Sequence, residues 1–176
     1  MDTKDKISVL ISEEELDKRI RELGEEISRE YEGKELHLIS ILKGGVFFTC
    51  ELAKRINVPV SIDFMSVSSY GSGKITSGVV KIIKDLDEDI EGKDVMVVED
   101  IIDTGRTLAL LKEQLLKRGP ASLKICTAFD KPDRRVTELV PDYNGITIPD
   151  KFIVGYGLDL DGEYRNYDDI RVVKQE

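Results

Sequence analysis

Four apolar residues, Val95, Met96, Val97 and Val98, run directly into two adjacent carboxylates, Glu99 and Asp100. A continuously apolar strand is one buried on both faces, as in the middle of a parallel sheet. Ile101 and Ile102 follow, then Asp103-Thr104-Gly105-Arg106-Thr107 opens a segment with Leu108, Leu111 and Leu115 at helical spacing. This succession constrains the chain to an α/β fold whose buried strand delivers acids to its carboxyl end. Ligands bind at that end of such sheets.

The flanking segments agree. Ser12 and Glu15 form a capping box ahead of Leu16, Ile20, Leu23 and Ile27, one face of an amphipathic helix. Leu36 to Leu42 is a short apolar run that ends in Lys43-Gly44-Gly45, and Val46 to Ile56 has a helical composition before Val58-Pro59. Val60 to Ser69 and Val79 to Leu86 read as strands around a glycine- and serine-rich loop. Gly119-Pro120 stops the helix after the acids, and Leu123 to Phe129 is the next strand. The predicted fold class is therefore α/β, a mostly parallel sheet flanked by helices. The last third, Lys131 to Glu176, is rich in Pro, Gly, Asp and Tyr. With the N-terminal segment it is expected to form a small hood on a single domain spanning 1–176.

Charge and cysteine content narrow the function. The net charge of −9 disfavours non-specific binding to nucleic acid or to an anionic membrane. Two cysteines and one histidine, with no CxxC, disfavour a disulfide framework or a structural zinc site. His37 lies in a strand-like run and reads as structural. The chain has no apolar run near the ~20 residues of a membrane span, and Ile7 to Ile11 is too short for a signal sequence. A cytoplasmic protein is expected.

The turn after the acids carries the chemistry. Asp103 to Thr107 can aim successive backbone N–H groups and two hydroxyls at one point, with a helix N-terminus and the Arg106 charge behind them: the parts of a phosphate cradle. It is not a Walker A loop. Glu99 and Asp100 are placed to accept hydrogen bonds from vicinal hydroxyls, directly or through a cation, and Asp103 to exchange a proton. By spacing alone, Asp103 or Thr104 could equally be a plain N-cap. Likewise Gly44-Gly45 fits a simple turn and Lys131 a solvated lysine.

Val97 to Thr107 resembles the phosphoribosyl-pyrophosphate motif of type I phosphoribosyltransferases. Leu42-Lys43-Gly44-Gly45, Ser68-Ser69-Tyr70 and Ile148 to Asp159 extend the resemblance, in order, to the hypoxanthine-guanine branch. The resemblance implies a purine-salvage transferase that moves a 5-phosphoribosyl group from phosphoribosyl pyrophosphate to N9 of hypoxanthine or guanine. A xanthine-preferring relative and a non-catalytic nucleotide sensor of the same fold are the alternatives.

The same resemblance implies roles. Glu99 and Asp100 hold the ribose hydroxyls, and Thr104, Gly105, Arg106 and Thr107 the 5′-phosphate. Lys43 and Gly44 belong to a pyrophosphate loop, often with a cis peptide before the lysine, and Arg165 touches pyrophosphate. Asp103 is the general acid/base at purine N7. Lys131 donates to the 6-oxo group, Phe152 stacks on the purine, Ile153 meets its edge through its backbone, and Asp159 lies at the purine side. Ser69 and Tyr70 lead a closing flap. Mg²⁺ is the implied cofactor, at Glu99, Asp100 and Asp159. Partners are small-molecule substrates only, with neither nucleic acid nor membrane, and the chain is expected to form a homodimer or homotetramer.

Overall fold

The computed structural model describes residues 7–68 and 80–174. The predicted flap, with Ser69 and Tyr70, lies outside the described residues. The chain runs β1 (Ile7–Ile11), α1 (Glu13–Glu30), β2 (Leu36–Ile41), α2 (Gly45–Ala53), β3 (Val60–Ser68), β4 (Lys81–Lys84), β5 (Asp94–Ile102), α3 (Arg106–Leu116), β6 (Ser122–Asp130), β7 (Tyr143–Thr147), β8 (Ile153–Val154) and β9 (Ile170–Val173).

Six strands form the main sheet in the order β4-β3-β2-β5-β6-β7. All neighbours are parallel except β3 and β4. As the apolar run predicts, β5 is central, and Val95 to Val98 are fully buried. One face of the sheet packs against α1 and α2, through Leu23, Ile27, Phe48 and Leu52 on Leu38, Met96 and Val98. The other face packs against α3, through Leu108, Leu111 and Leu115 on Ile39, Val97 and Ile125. The two faces thus use alternate residues of the same strands.

The capping box of α1 is present: Ser12 Oγ accepts from the Glu15 N–H, and Glu15 accepts from the Ser12 N–H. A second sheet, β1-β9-β8, is antiparallel and joins the N-terminal segment to the C-terminal one. The last third is not all separate from the main sheet, however. β7 pairs with β6, Cys126 opposite Tyr143, and extends the parallel sheet by one strand.

Candidate active site

Topology alone gathers three loops. β2, β5 and β6 are adjacent and parallel, so the segments after Ile41, Ile102 and Asp130 leave the sheet side by side. Register aligns them. Ser40 pairs with Val98, which sets the Leu42–Gly44 loop beside the acid pair. Ile102 pairs with Asp130, and the Lys131 N–H donates to the Ile102 carbonyl at 3.0 Å. Asp103 and Lys131 therefore emerge level with one another.

The glycine loop is pressed onto the acids. Gly44 has ordinary helical angles (φ −60°, ψ −35°), so glycine is not needed there for backbone freedom. It is needed for space: a Cβ would lie 1.7 Å from Asp100 Oδ2. The Leu42–Lys43 peptide is cis, as the resemblance implies. Thr49 fixes the next residue: its hydroxyl donates to the Gly45 carbonyl (2.7 Å) and can accept from the Ser40 hydroxyl (2.8 Å), all three residues buried. Lys43 itself is exposed.

Glu99 and Asp100 are part-covered at the end of β5. Loss of solvation, and then the neighbouring Asp100 charge, push the Glu99 carboxyl well above the usual carboxylate range. Burial raises Asp100 too, against the opposing pull of its side-chain hydrogen bond with Glu99, then of the Ile101 N–H and of Arg165. Such a pair favours hydroxyl donors or a cation. Its hard oxygens suit Mg²⁺. No group of three or more His, Cys, Asp or Glu side chains able to hold a metal comes together among the described residues, so a bound Mg²⁺ needs oxygens from ligand and water as well.

The Asp103 to Thr107 turn closes the floor. Gly105 caps α3 with φ +80°, a conformation that L side chains rarely adopt. The Arg106 N–H points to Thr104 Oγ1 at 3.4 Å, and the Arg106 side chain is exposed. A cavity of about 160 Å³ opens here, lined by Glu99, Asp103, Thr104, Gly105 and Thr107. A larger hollow of about 380 Å³ lies elsewhere, between Leu16, Phe47, Arg55 and Tyr167, and holds none of these groups.

The sequence that builds this sheet, acid pair and glycine-capped turn matches the phosphoribosyl transferase domain family over residues 12–161. The chain belongs to this family. It is 51% identical over 168 residues to the hypoxanthine-guanine phosphoribosyltransferase of Lactococcus lactis, covering 96% of this chain and 91% of that one. It is 49% identical over 162 residues to the hypoxanthine phosphoribosyltransferase of Salmonella typhimurium, covering 91% of each. Among solved structures, a hypoxanthine-guanine phosphoribosyltransferase from Bacillus anthracis superposes with a TM-score of 0.91 at 48% identity, covering 95% of this chain and 98% of that one.

The other residues that the resemblance implies lie just after β6, at β8 and in the segment that follows β8. Lys131 is largely buried, unlike the solvated lysine its turn allowed. Phe152 keeps 38% of its surface exposed, and Ile153 is buried in β8. Arg165 donates to the Gly157 carbonyl at 2.6 Å and pairs with Asp159 at 3.1 Å. Gly157 in turn backs onto the glycine loop, where a Cβ would meet the Gly44 carbonyl oxygen at 2.1 Å. Asp159 also accepts the Gly162 N–H at 2.8 Å.

Sequence reasoning missed the clamp below Asp103. Arg135 donates to the Asp103 carbonyl (3.1 Å) and the Leu139 carbonyl (2.6 Å), and pairs with the buried Asp130. The Val136 N–H donates to the Thr104 carbonyl at 3.0 Å. Arg134 pairs with Asp103 itself. Two arginines in a charged loop carry no signal of this kind before the loop is folded back on the turn.

Proposed function

We propose that this chain is a purine-salvage enzyme that transfers the 5-phosphoribosyl group from phosphoribosyl pyrophosphate to N9 of hypoxanthine or guanine. The products are the nucleotide and pyrophosphate. The observation that carries the reading is that Asp103, Lys131 and the Glu99–Asp100 pair stand together at the carboxyl ends of the adjacent strands β5 and β6, in a chain about half identical to hypoxanthine-guanine phosphoribosyltransferases.

In this reading Glu99 and Asp100 accept hydrogen bonds from the ribose 2′- and 3′-hydroxyls. The N–H groups and hydroxyls of Thr104 to Thr107, with Arg106, enclose the 5′-phosphate. Lys43, Gly44 and Arg165 meet the pyrophosphate. Lys131 offers donors only, which suits a 6-oxo group and not a 6-amino group. Phe152 presents a ring face to the base, and Ile153 and Asp159 bound its edge. The N9 lone pair forms the new bond to C1′ as the bond from C1′ to the pyrophosphate oxygen breaks. The proton on N7 passes to the Asp103 carboxylate. Mg²⁺, held by the donor with Glu99, Asp100 and Asp159, would neutralise charge on the leaving pyrophosphate. A cytoplasmic setting and assembly as a homodimer or homotetramer belong to the same reading.

Asp103→Asn tests the proton step. The variant keeps shape and loses the acceptor, so turnover should fall about 10²-fold or more with donor affinity unchanged. Near-normal turnover would remove Asp103 from the role.

A further inference from the structure

We propose that Arg134 is a positioning residue for Asp103: it closes off one carboxylate oxygen and leaves the other as the proton acceptor. This rests on the reading of Asp103 given above. Arg134 Nε lies 3.1 Å from Asp103 Oδ1, and Nη1 of the same guanidinium lies 3.6 Å from Asp150 Oδ1. Asp103 Oδ1 is shut away from solvent and accepts no directed hydrogen bond. The contact is therefore an ion pair rather than an aligned N–H···O bond. It leaves Oδ2 as the oxygen available to substrate.

The geometry separates this duty from the structural one. Arg135 holds the Asp103 main chain from below and is almost covered. Arg134 meets the side chain and is about half exposed, as is Asp103. An exposed pair contributes little to folding. Its effect lies in confining the carboxylate to one orientation, and small displacements of a reacting group are costly to rate. Arg134 is itself anchored. Its N–H donates to the Lys131 carbonyl at 3.1 Å, so the residue that orients the acid is one short turn from the lysine proposed to grip the base. Asp150, which opens the segment leading to Phe152, lies 3.6 Å from Nη1 of the same guanidinium.

A double-mutant cycle distinguishes orientation from support. Initial rates are measured for Arg134→Gln, Arg134→Lys, Asp103→Asn and the Arg134→Gln, Asp103→Asn pair, varying hypoxanthine and donor separately. Arg134→Gln should lower kcat about tenfold and leave the donor KM in place. Arg134→Lys, which keeps the charge without the fork, should recover part of the loss. In the Asp103→Asn background, Arg134→Gln should change kcat by less than about twofold, because there is no acceptor left to orient. Equal losses in both backgrounds would overturn the inference, as would wild-type kcat in Arg134→Gln beside an impaired Asp103→Asn. Near-normal turnover in Asp103→Asn would instead sink the underlying reading, and this inference with it.

Discussion

Replacing Gly44 with alanine isolates the contact between the glycine loop and the acid pair. The backbone there is already helical, so alanine fits it and even lowers the entropy of the unfolded chain, worth about 0.4–1 kcal/mol. The new methyl would stand 1.7 Å from Asp100 Oδ2 and 2.7 Å from its Cγ. Real Cβ contacts do not fall below 3.0 Å, so the carboxylate must swing away by more than an ångström. That motion takes the side chain off its rotamer, at about 0.5–1.5 kcal/mol. It also strains the bond from the Ile101 N–H to Asp100 Oδ1, now 2.6 Å, worth about 1 kcal/mol. Set against the entropic gain, the net cost is about 1–2 kcal/mol, a fall in Tm of roughly 2–8 °C for a chain of this size. The functional loss is larger. If Asp100 binds the reacting sugar as proposed, an ångström of displacement there costs about 10²-fold. Initial rates against donor concentration, at saturating hypoxanthine, should show kcat/KM for the donor reduced by that factor in a folded protein. Unchanged donor kcat/KM would refute the packing argument. A loss of Tm much beyond 10 °C would show that Gly44 serves the fold instead.

Two other perturbations follow from the site. Burial raises the carboxyl pKa values of Glu99 and Asp100 above those of the unfolded chain. The folded state thus binds protons more readily, and stability is lost as pH rises through the raised values. Glu99→Gln should therefore raise Tm by about 2–4 °C per kcal/mol released, more at pH 8 than at pH 5, while donor affinity falls; thermal melts of both proteins at both pH values check this, and a variant Tm below that of the unsubstituted protein at pH 8 would contradict it. Lys131→Ala should weaken hypoxanthine binding about 10–100-fold, the loss of a charged hydrogen bond, with donor affinity unchanged; separate titrations of the two ligands would expose an equal loss in both.

The central strands were legible because burial on both faces writes itself as an apolar run. That the segments after those strands come together was legible because parallel topology puts strand ends side by side, whereas by spacing alone Gly44-Gly45 still fitted a simple turn. β7 was not. Tyr143-Asn144-Gly145-Ile146-Thr147 has no apolar run, and becomes a strand by pairing with β6. β9 is four residues long, and its partner β1 lies at the other end of the chain. The burial of Lys131 was equally hidden, since a lysine before Pro132 has the local look of a solvated turn. Arg134 and Arg135 differ in burial and in duty only after the loop folds back on Asp103. Hydrophobic pattern reports local burial, whereas these placements depend on contacts between distant segments.

The most direct measurement is base selectivity. The protein is mixed with Mg²⁺ and phosphoribosyl pyrophosphate, and nucleotide formation is followed by ultraviolet absorbance with hypoxanthine, guanine, xanthine or adenine. The account predicts turnover with hypoxanthine and guanine and none of comparable rate with adenine, whose 6-amino group gives Lys131 nothing to donate to. Preference for adenine, or donor binding without turnover of any base, would contradict it.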